Sequence, residues 1–225
     1  MEHKIDQSEE AVRTTYGVWI GDVSGSMNGL EKAHSKGYNT FIKEQRKEKG
    51  QFFLTTIRFN DEVNFVGIKN TPIDKIEKAT EKTFKAGGST ALYDAIGTGI
   101  EHMLEIYNKN NQSYNSNYII IIMTDGCENS SKRFTKKQIK KMIKDCKMKD
   151  ISVKFTGANQ EAESTGDEIG LDSTQCATFE AAPIGMTELF RSVSNTVTKH
   201  RLTGCSEFTE TDKKRMMSNF INLFY

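Results

Sequence analysis

The segment Asp22-Val23-Ser24-Gly25-Ser26-Met27 sets a carboxylate and two hydroxyls at alternate positions, where a curling loop could aim all three at one point. Such groups are hard oxygen donors, suited to Mg2+, Mn2+ or Ca2+ and unsuited to soft metals. Two later segments offer the same chemistry. Gly87-Gly88-Ser89-Thr90-Ala91 supplies the Thr90 hydroxyl, and Thr124-Asp125-Gly126 supplies the Asp125 carboxylate. If Ser and Gly only made a tight turn and the two Asp only capped helices, the sequence would need none of these coincidences of type and place.

Each segment lies at the end of an apolar run or the start of a helical one. Strands are expected at Tyr16–Ile20, Gln51–Phe59, Val63–Ile68, Tyr118–Thr124, Ile151–Thr156 and Cys176–Phe179. The runs VWI, FFL and IIIIM are apolar at consecutive positions, the pattern of strands covered on both faces. Asn60-Asp61 predicts a short hairpin and hence one antiparallel edge strand. Helices are expected over 30–47, 91–107 and 136–148, the last with a Thr135/Gln138 capping box, and again after Pro183, which suits a first helical turn. Strand–helix alternation predicts a three-layer, Rossmann-like α/β fold, its doubly wound sheet mostly parallel with helices on both faces. In such a sheet, ligands bind at the carboxyl ends of central strands, and Asp22 and Asp125 would both point there.

Composition narrows the function. The 225 residues carry 31 Lys plus Arg against 30 Asp plus Glu, a formal net charge of +1, which argues against a dedicated nucleic-acid binder. A hydrophobic fraction of 36% is too patterned for disorder. The IIIIM run is far too short to span a bilayer, and the opening MEHKIDQSEEAVR lacks the apolar core of a secretory signal. Cys127, Cys146, Cys176 and Cys205 are scattered, without a CxxC pair, as in a reduced, cytoplasmic protein. The expected organisation is a flexible arm over 1–14, one domain over 15–202, and a helical tail over 203–225. In the tail, Thr211-Asp212 precedes a stripe of Met216, Met217, Phe220, Ile221 and Phe224. The tail is expected to dock on its own domain, with a partner-binding or self-association helix as the alternative.

The chain resembles the von Willebrand factor type A domains and their metal-ion-dependent adhesion site (MIDAS). That family's pattern is Asp-x-Ser-x-Ser, a distant Thr and a distant Asp, met here by Asp22, Ser24, Ser26, Thr90 and Asp125 in the same order. GSM, GGSTALYDAIG and TDG around these positions agree. FIKEQRKEKG, GANQEAESTGDEIGLD and FRSVSNTVTKHR further resemble an intracellular bacterial and phage-type group. One departure is Gly21, where the family more often has a bulky apolar residue. The resemblance covers roughly residues 16–202 and implies a divalent ion, Mg2+ or else Mn2+ or Ca2+. Three of the five protein groups are neutral hydroxyls, so an ion held by Ser24, Ser26 and Thr90 keeps positive charge. It would then take an Asp or Glu from a protein partner as a further ligand. Met27, Ser89, Gly126 and Cys127 would form the partner-facing rim, with Lys136, Lys140 and Lys144 flanking it.

Two other functional classes have weaker support. Paired Asp with Mg2+ also serves phosphoryl transfer or hydrolysis, but no GxxxxGK[ST] loop is present and His3, His34, His102 and His200 lie away from the motifs. Cys127 has no evident base beside it. Residues 132–149 hold nine basic residues and one acid, Asp145, which could serve a nucleic acid but is the usual signature of a solvated helix face. Residues 155–190 hold seven acids and no base. The expectation is two separate solvated faces; head-to-tail self-association of these opposite charges is the alternative.

Overall fold

Ile119, Ile121 and Met123 bury into one side of a central sheet and Ile120 and Ile122 into the other, so the IIIIM run has no face left for water. Trp19 and its neighbours Val18 and Ile20 divide in the same way. The computed structural model describes residues 13–110, 115–158 and 162–217. Its sheet has six strands: β1 (Thr14–Asp22), β2 (Phe52–Phe59), β3 (Val63–Pro72), β4 (Ser116–Thr124), β5 (Ile151–Ala158) and β6 (Cys176–Phe179), in the order β3-β2-β1-β4-β5-β6. All neighbours pair in parallel except β2 and β3, which are antiparallel across Asn60-Asp61.

Helices cover both faces, giving the Rossmann-like three-layer α/β fold. α1 (Glu31–Gln45) and α5 (Pro183–Thr203) bury Tyr38, Phe41, Leu189 and Phe190 on the Trp19 side. α2 (Leu92–Lys109), α3 (Lys136–Met148) and α4 (Ala162–Ile169) bury Ile96, Ile100, Ile139 and Ile169 on the other. The chain leaves β1 for β2 on one side and β4 for β5 on the other, so β1 and β4 flank the topological switch point. No helix among the described residues is long and apolar enough to cross a membrane.

Several sequence expectations are refined. β3 continues to Pro72 through an irregularity in its pairing between Leu54 and Thr56, where Gly67 and Asn70 take positive φ. α4 was not expected. It buries Ala162, Gly166 and Ile169, and the first two are too small to mark a periodic apolar face in the sequence. The basic and acidic stretches are not separate faces. Lys136 of α3 pairs with Glu168 of α4, and Lys147 pairs with Asp172 beyond it. These are exposed pairs of small energetic weight, but they use part of both charges within one chain.

The tail turns back on its own domain. The final short helix, α6 (Glu210–Met216), is capped by Thr209 in a reciprocal box with Asp212, two residues before the expected start at Thr211. Phe208 and Met216 are buried. The Phe208 amide donates to the Thr174 carbonyl at 2.9 Å and the Glu180 amide to the Met216 carbonyl at 3.0 Å, which ties the segment to the β6 edge. Phe220, Ile221 and Phe224, and residues 1–12 of the arm, lie outside the described residues.

Gly21 has a packing reason. A Cβ there would lie 2.8 Å from Trp19 Nε1 and 3.2 Å from His34 Cε1 and Nε2. Trp19 and His34 thus fill the space a bulky residue would occupy, and His34 stacks on Phe84 with ring centroids 3.8 Å apart. Gly21→Val is expected to overpack this region and cost about 1–3 kcal/mol, read by urea unfolding; an unchanged midpoint would contradict the packing account.

His34 and His200 are both buried, and His200 Nε2 donates to the Tyr118 carbonyl at 3.1 Å. Burial pushes His34 down to about 3, and burial aided by nearby Lys154 pushes His200 down to about 4. An unfolded histidine takes up its proton near 6.5, so this stability is complete above that pH and is lost as pH falls toward 4. Between pH 7 and pH 5 each histidine should cost about 2 kcal/mol of unfolding free energy, and His34→Leu should remove about half of the combined slope. The Asp22 and Asp125 carboxyls, raised on folding, act in the opposite direction over this range, so the difference between the two proteins decides: a pH 7 to pH 5 dependence left unchanged by His34→Leu would refute the assignment.

Candidate metal centre

β1 ends at Asp22, whose side chain is fully buried at the switch point. Its Oδ1 accepts the Ser24 amide at 2.6 Å, an Asx turn that curls the following loop back toward the strand end. Its Oδ2 accepts the Thr124 hydroxyl at 2.5 Å, which joins the ends of β1 and β4. Burial pushes the Asp22 carboxyl above its ordinary range, against the opposing hydrogen bonds from Thr124 and Ser24.

The loop then makes a 3-10 turn over Gly25–Met27. Ser24 Oγ lies 3.0 Å from Ser26 Oγ, and Ser26 Oγ donates to Asp125 Oδ1 at 2.6 Å. Thr90 enters from the loop before α2. A Cβ on Gly126 would stand 3.0 Å from Thr90 Oγ1 and 3.4 Å from Ser26 Oγ, so a glycine at 126 lets the two hydroxyls close in around the Asp125 loop. Backbone bonds hold the loops together: the Gly25 amide donates to the Gly88 carbonyl and the Gly87 amide to the Val23 carbonyl, each at 2.9 Å. Gly88 sits at φ +81°, a conformation that favours glycine.

The structure therefore brings Asp22, Ser24, Ser26, Thr90 and Asp125 to one place. Asp22, Ser24 and Thr90 are buried while Ser26 is exposed, so the cluster opens to solvent on one side. Burial pushes the Asp125 carboxyl up to about 6; the Ser26 hydroxyl opposes this and the Asp22 charge adds to it. Among the described residues no Lys or Arg makes an ion pair with either carboxylate. Two facing carboxylates with three hydroxyls and no basic partner form a donor set that fits a hard divalent cation. Among the described residues there is no cluster of three or more His, Cys, Asp or Glu, and hydroxyls supply most of the donors here instead.

The expected rim is only partly realised. Ser89 and Cys127 are exposed and Gly126 is half-buried. Met27 is 1% exposed and packs in the core, because the 3-10 turn folds its side chain inward, so it offers nothing to a partner. Lys136, Lys140 and Lys144 are exposed on α3, with Lys136 held by Glu168. A shallow cleft bounded by Asp125, Cys127, Phe155 and Gly157 opens beside the cluster. The sequence reading missed two supports: Thr124 as a partner of Asp22, and Asn129, which accepts the Thr90 amide at 2.8 Å. Thr124 adjoins the TDG motif, whereas nothing local marks Asn129.

A family model described as the von Willebrand factor type A domain matches residues 19–191. Similar solved structures include a von Willebrand factor type A protein from Catenulispora acidiphila, with a TM-score of 0.56 at 16% identity, covering 83% of this chain and 43% of that one. Another is proximal thread matrix protein 1 from the mussel byssus, with a zinc-occupied MIDAS motif, at a TM-score of 0.58 and 15% identity over 84% of this chain and 46% of that one. At these identities the likeness is one of fold, and this chain spans less than half the length of either structure. None of the curated proteins compared matches it. The match to the family model across most of the chain, on a sheet whose switch point gathers the five oxygen-bearing residues, shows that the chain belongs to the von Willebrand factor type A domain family.

Proposed function

We propose that this chain is a divalent-metal-dependent protein–protein interaction module, with a role in assembly or scaffolding. Ser24, Ser26, Thr90 and Asp125 would hold the ion, and Asp22 would support it through the Ser24 loop. The observation that carries this reading is the convergence of three hydroxyls and two carboxylates, with Ser26 Oγ bonded to Asp125 across 99 residues of chain. When bound, the ion would act as a Lewis acid with positive charge left over, favouring an Asp or Glu carboxylate from a partner protein as a further ligand. Ser89, Gly126 and Cys127 would border that contact. The zinc-occupied motif of the mussel thread protein supports a metal at this place in the fold; we favour Mg2+ for the hard donor set, with Mn2+ or Ca2+ as substitutes.

We read the site as binding without turnover. His34 and His200 are committed to the core and His102 Nε2 bonds Thr55 Oγ1 at 2.9 Å, so none of them stands beside the ligands as a base. A cytoplasmic setting fits the buried thiols Cys146 and Cys176, which form no disulfide. The three resembling segments support an intracellular bacterial or phage-type module. The nucleic-acid alternative loses ground because Lys136 and Lys147 are engaged by Glu168 and Asp172.

Calorimetry with Mg2+ and Mn2+ tests the site. One ion should bind the wild-type chain and Asp22→Ala should abolish binding; unchanged affinity in that variant would refute the metal assignment. Mg2+-dependent hydrolysis of generic phosphate esters, lost in Asp22→Ala, would instead make the chain an enzyme.

A further inference from the structure

The connection from β4 to α3 carries Asp125, and it also grips the segment that carries Thr90. Asn129 Oδ1 accepts the Thr90 amide at 2.8 Å, and the Asn129 amide donates to the Thr90 carbonyl at 3.1 Å. One residue thus engages the amide and the carbonyl of Thr90 across 39 positions of chain. The adjacent residues extend the grip. Glu128 accepts the Tyr93 amide at 2.9 Å while also accepting the Ser130 and Ser131 amides at 3.0 and 2.7 Å. Asp94, in the first turn of α2, reaches back to accept the amides of Lys132, Arg133 and Phe134 at 2.8, 2.9 and 2.9 Å.

The amides at the start of a helix lack intrahelical acceptors and must find them elsewhere. Here the acceptors for Tyr93 and Asp94 come from the Asp125 loop: Glu128, and the Ser131 hydroxyl at 3.1 Å. Asn129 does the same for the residue just before the helix cap. Thr90 is only 3% exposed while Asn129 is exposed, so losing the Asn129 side chain would take away the protein acceptor of a part-buried amide and open that amide to solvent.

We infer that Asn129 is a positioning residue for the metal centre: it fixes Thr90 against the loop that carries Asp125, so that two ligands distant in sequence move as one body. Its consequence for metal affinity rests on the metal-binding reading above; its mechanical content does not. Asparagine suits the task because a neutral amide oxygen accepts the Thr90 amide without adding a third carboxylate beside Asp22 and Asp125.

The test compares wild type, Asn129→Ala, Asn129→Asp and Ser130→Ala by amide hydrogen exchange without metal and by Mn2+ calorimetry. Among the described residues Ser130 Oγ has no hydrogen-bond partner, so Ser130→Ala controls for change in the same loop. In Asn129→Ala, exchange at the Thr90 amide should quicken about tenfold and Mn2+ affinity should fall about tenfold, the scale of one lost hydrogen bond. Asn129→Asp, which keeps an acceptor, should restore Thr90 protection and hold Mn2+ at least as tightly as wild type. Protection in β4 and the behaviour of Ser130→Ala should not change. Wild-type Thr90 protection in Asn129→Ala overturns the inference, and so does a loss of protection that spreads equally into β4, which marks a merely structural role. Should wild type fail to bind Mn2+, the metal reading falls, and the exchange comparison alone decides on Asn129.

Discussion

The buried carboxylate of Asp22 is the constraint around which this end of the molecule is organised. A carboxylate removed from water is expensive unless it is hydrogen-bonded or neutralised. Asp22 recruits the Ser24 amide from its own loop and the Thr124 hydroxyl from the neighbouring strand end. Those two bonds curl the Ser24–Ser26 segment over the strand and fasten β1 to β4 at the point where the strand order switches direction. They do not cancel the charge, and Asp125 nearby adds a second one. The remaining electrostatic demand is for a cation, and in the proposed site three hydroxyls would help coordinate it.

Sheet topology supplies the meeting place. β1 and β4 are parallel neighbours whose following segments diverge, so their carboxyl ends face a common crevice. The Thr90 loop reaches that crevice through glycines at 87 and 88, and the β4–α3 connection then clasps it. Hydrogen bonds among the three loops tie these segments to one another. The opposite charges of α3 and the region after β5 are in part spent on one another.

Much of this was legible in the sequence because it depends on local pattern. Strands buried on both faces read as continuous apolar runs, and the Thr135/Gln138 box marks the start of α3 at the observed residue. The five residues proposed as ligands stood out by type and order, since hard donors at strand ends have few other uses, and the structure brings them together. What escaped depends on contacts the local pattern does not encode. α4 buries alanine and glycine in place of large apolar residues; the Met27 side chain turns inward because of the 3-10 geometry; Asn129 matters only through a partner in another loop. Gly21 was visible as a departure, but its cause, the space taken by Trp19 and His34, needed the fold.

The central claim is that the β1–β4 switch point holds a divalent ion, and anomalous scattering from a crystal grown with Mn2+ tests it most directly. The expected result is one anomalous peak bounded by Ser24, Ser26, Thr90 and Asp125, absent from an Asp22→Ala crystal grown in the same way. No peak there at saturating Mn2+, or one confined to another part of the surface, would contradict the account.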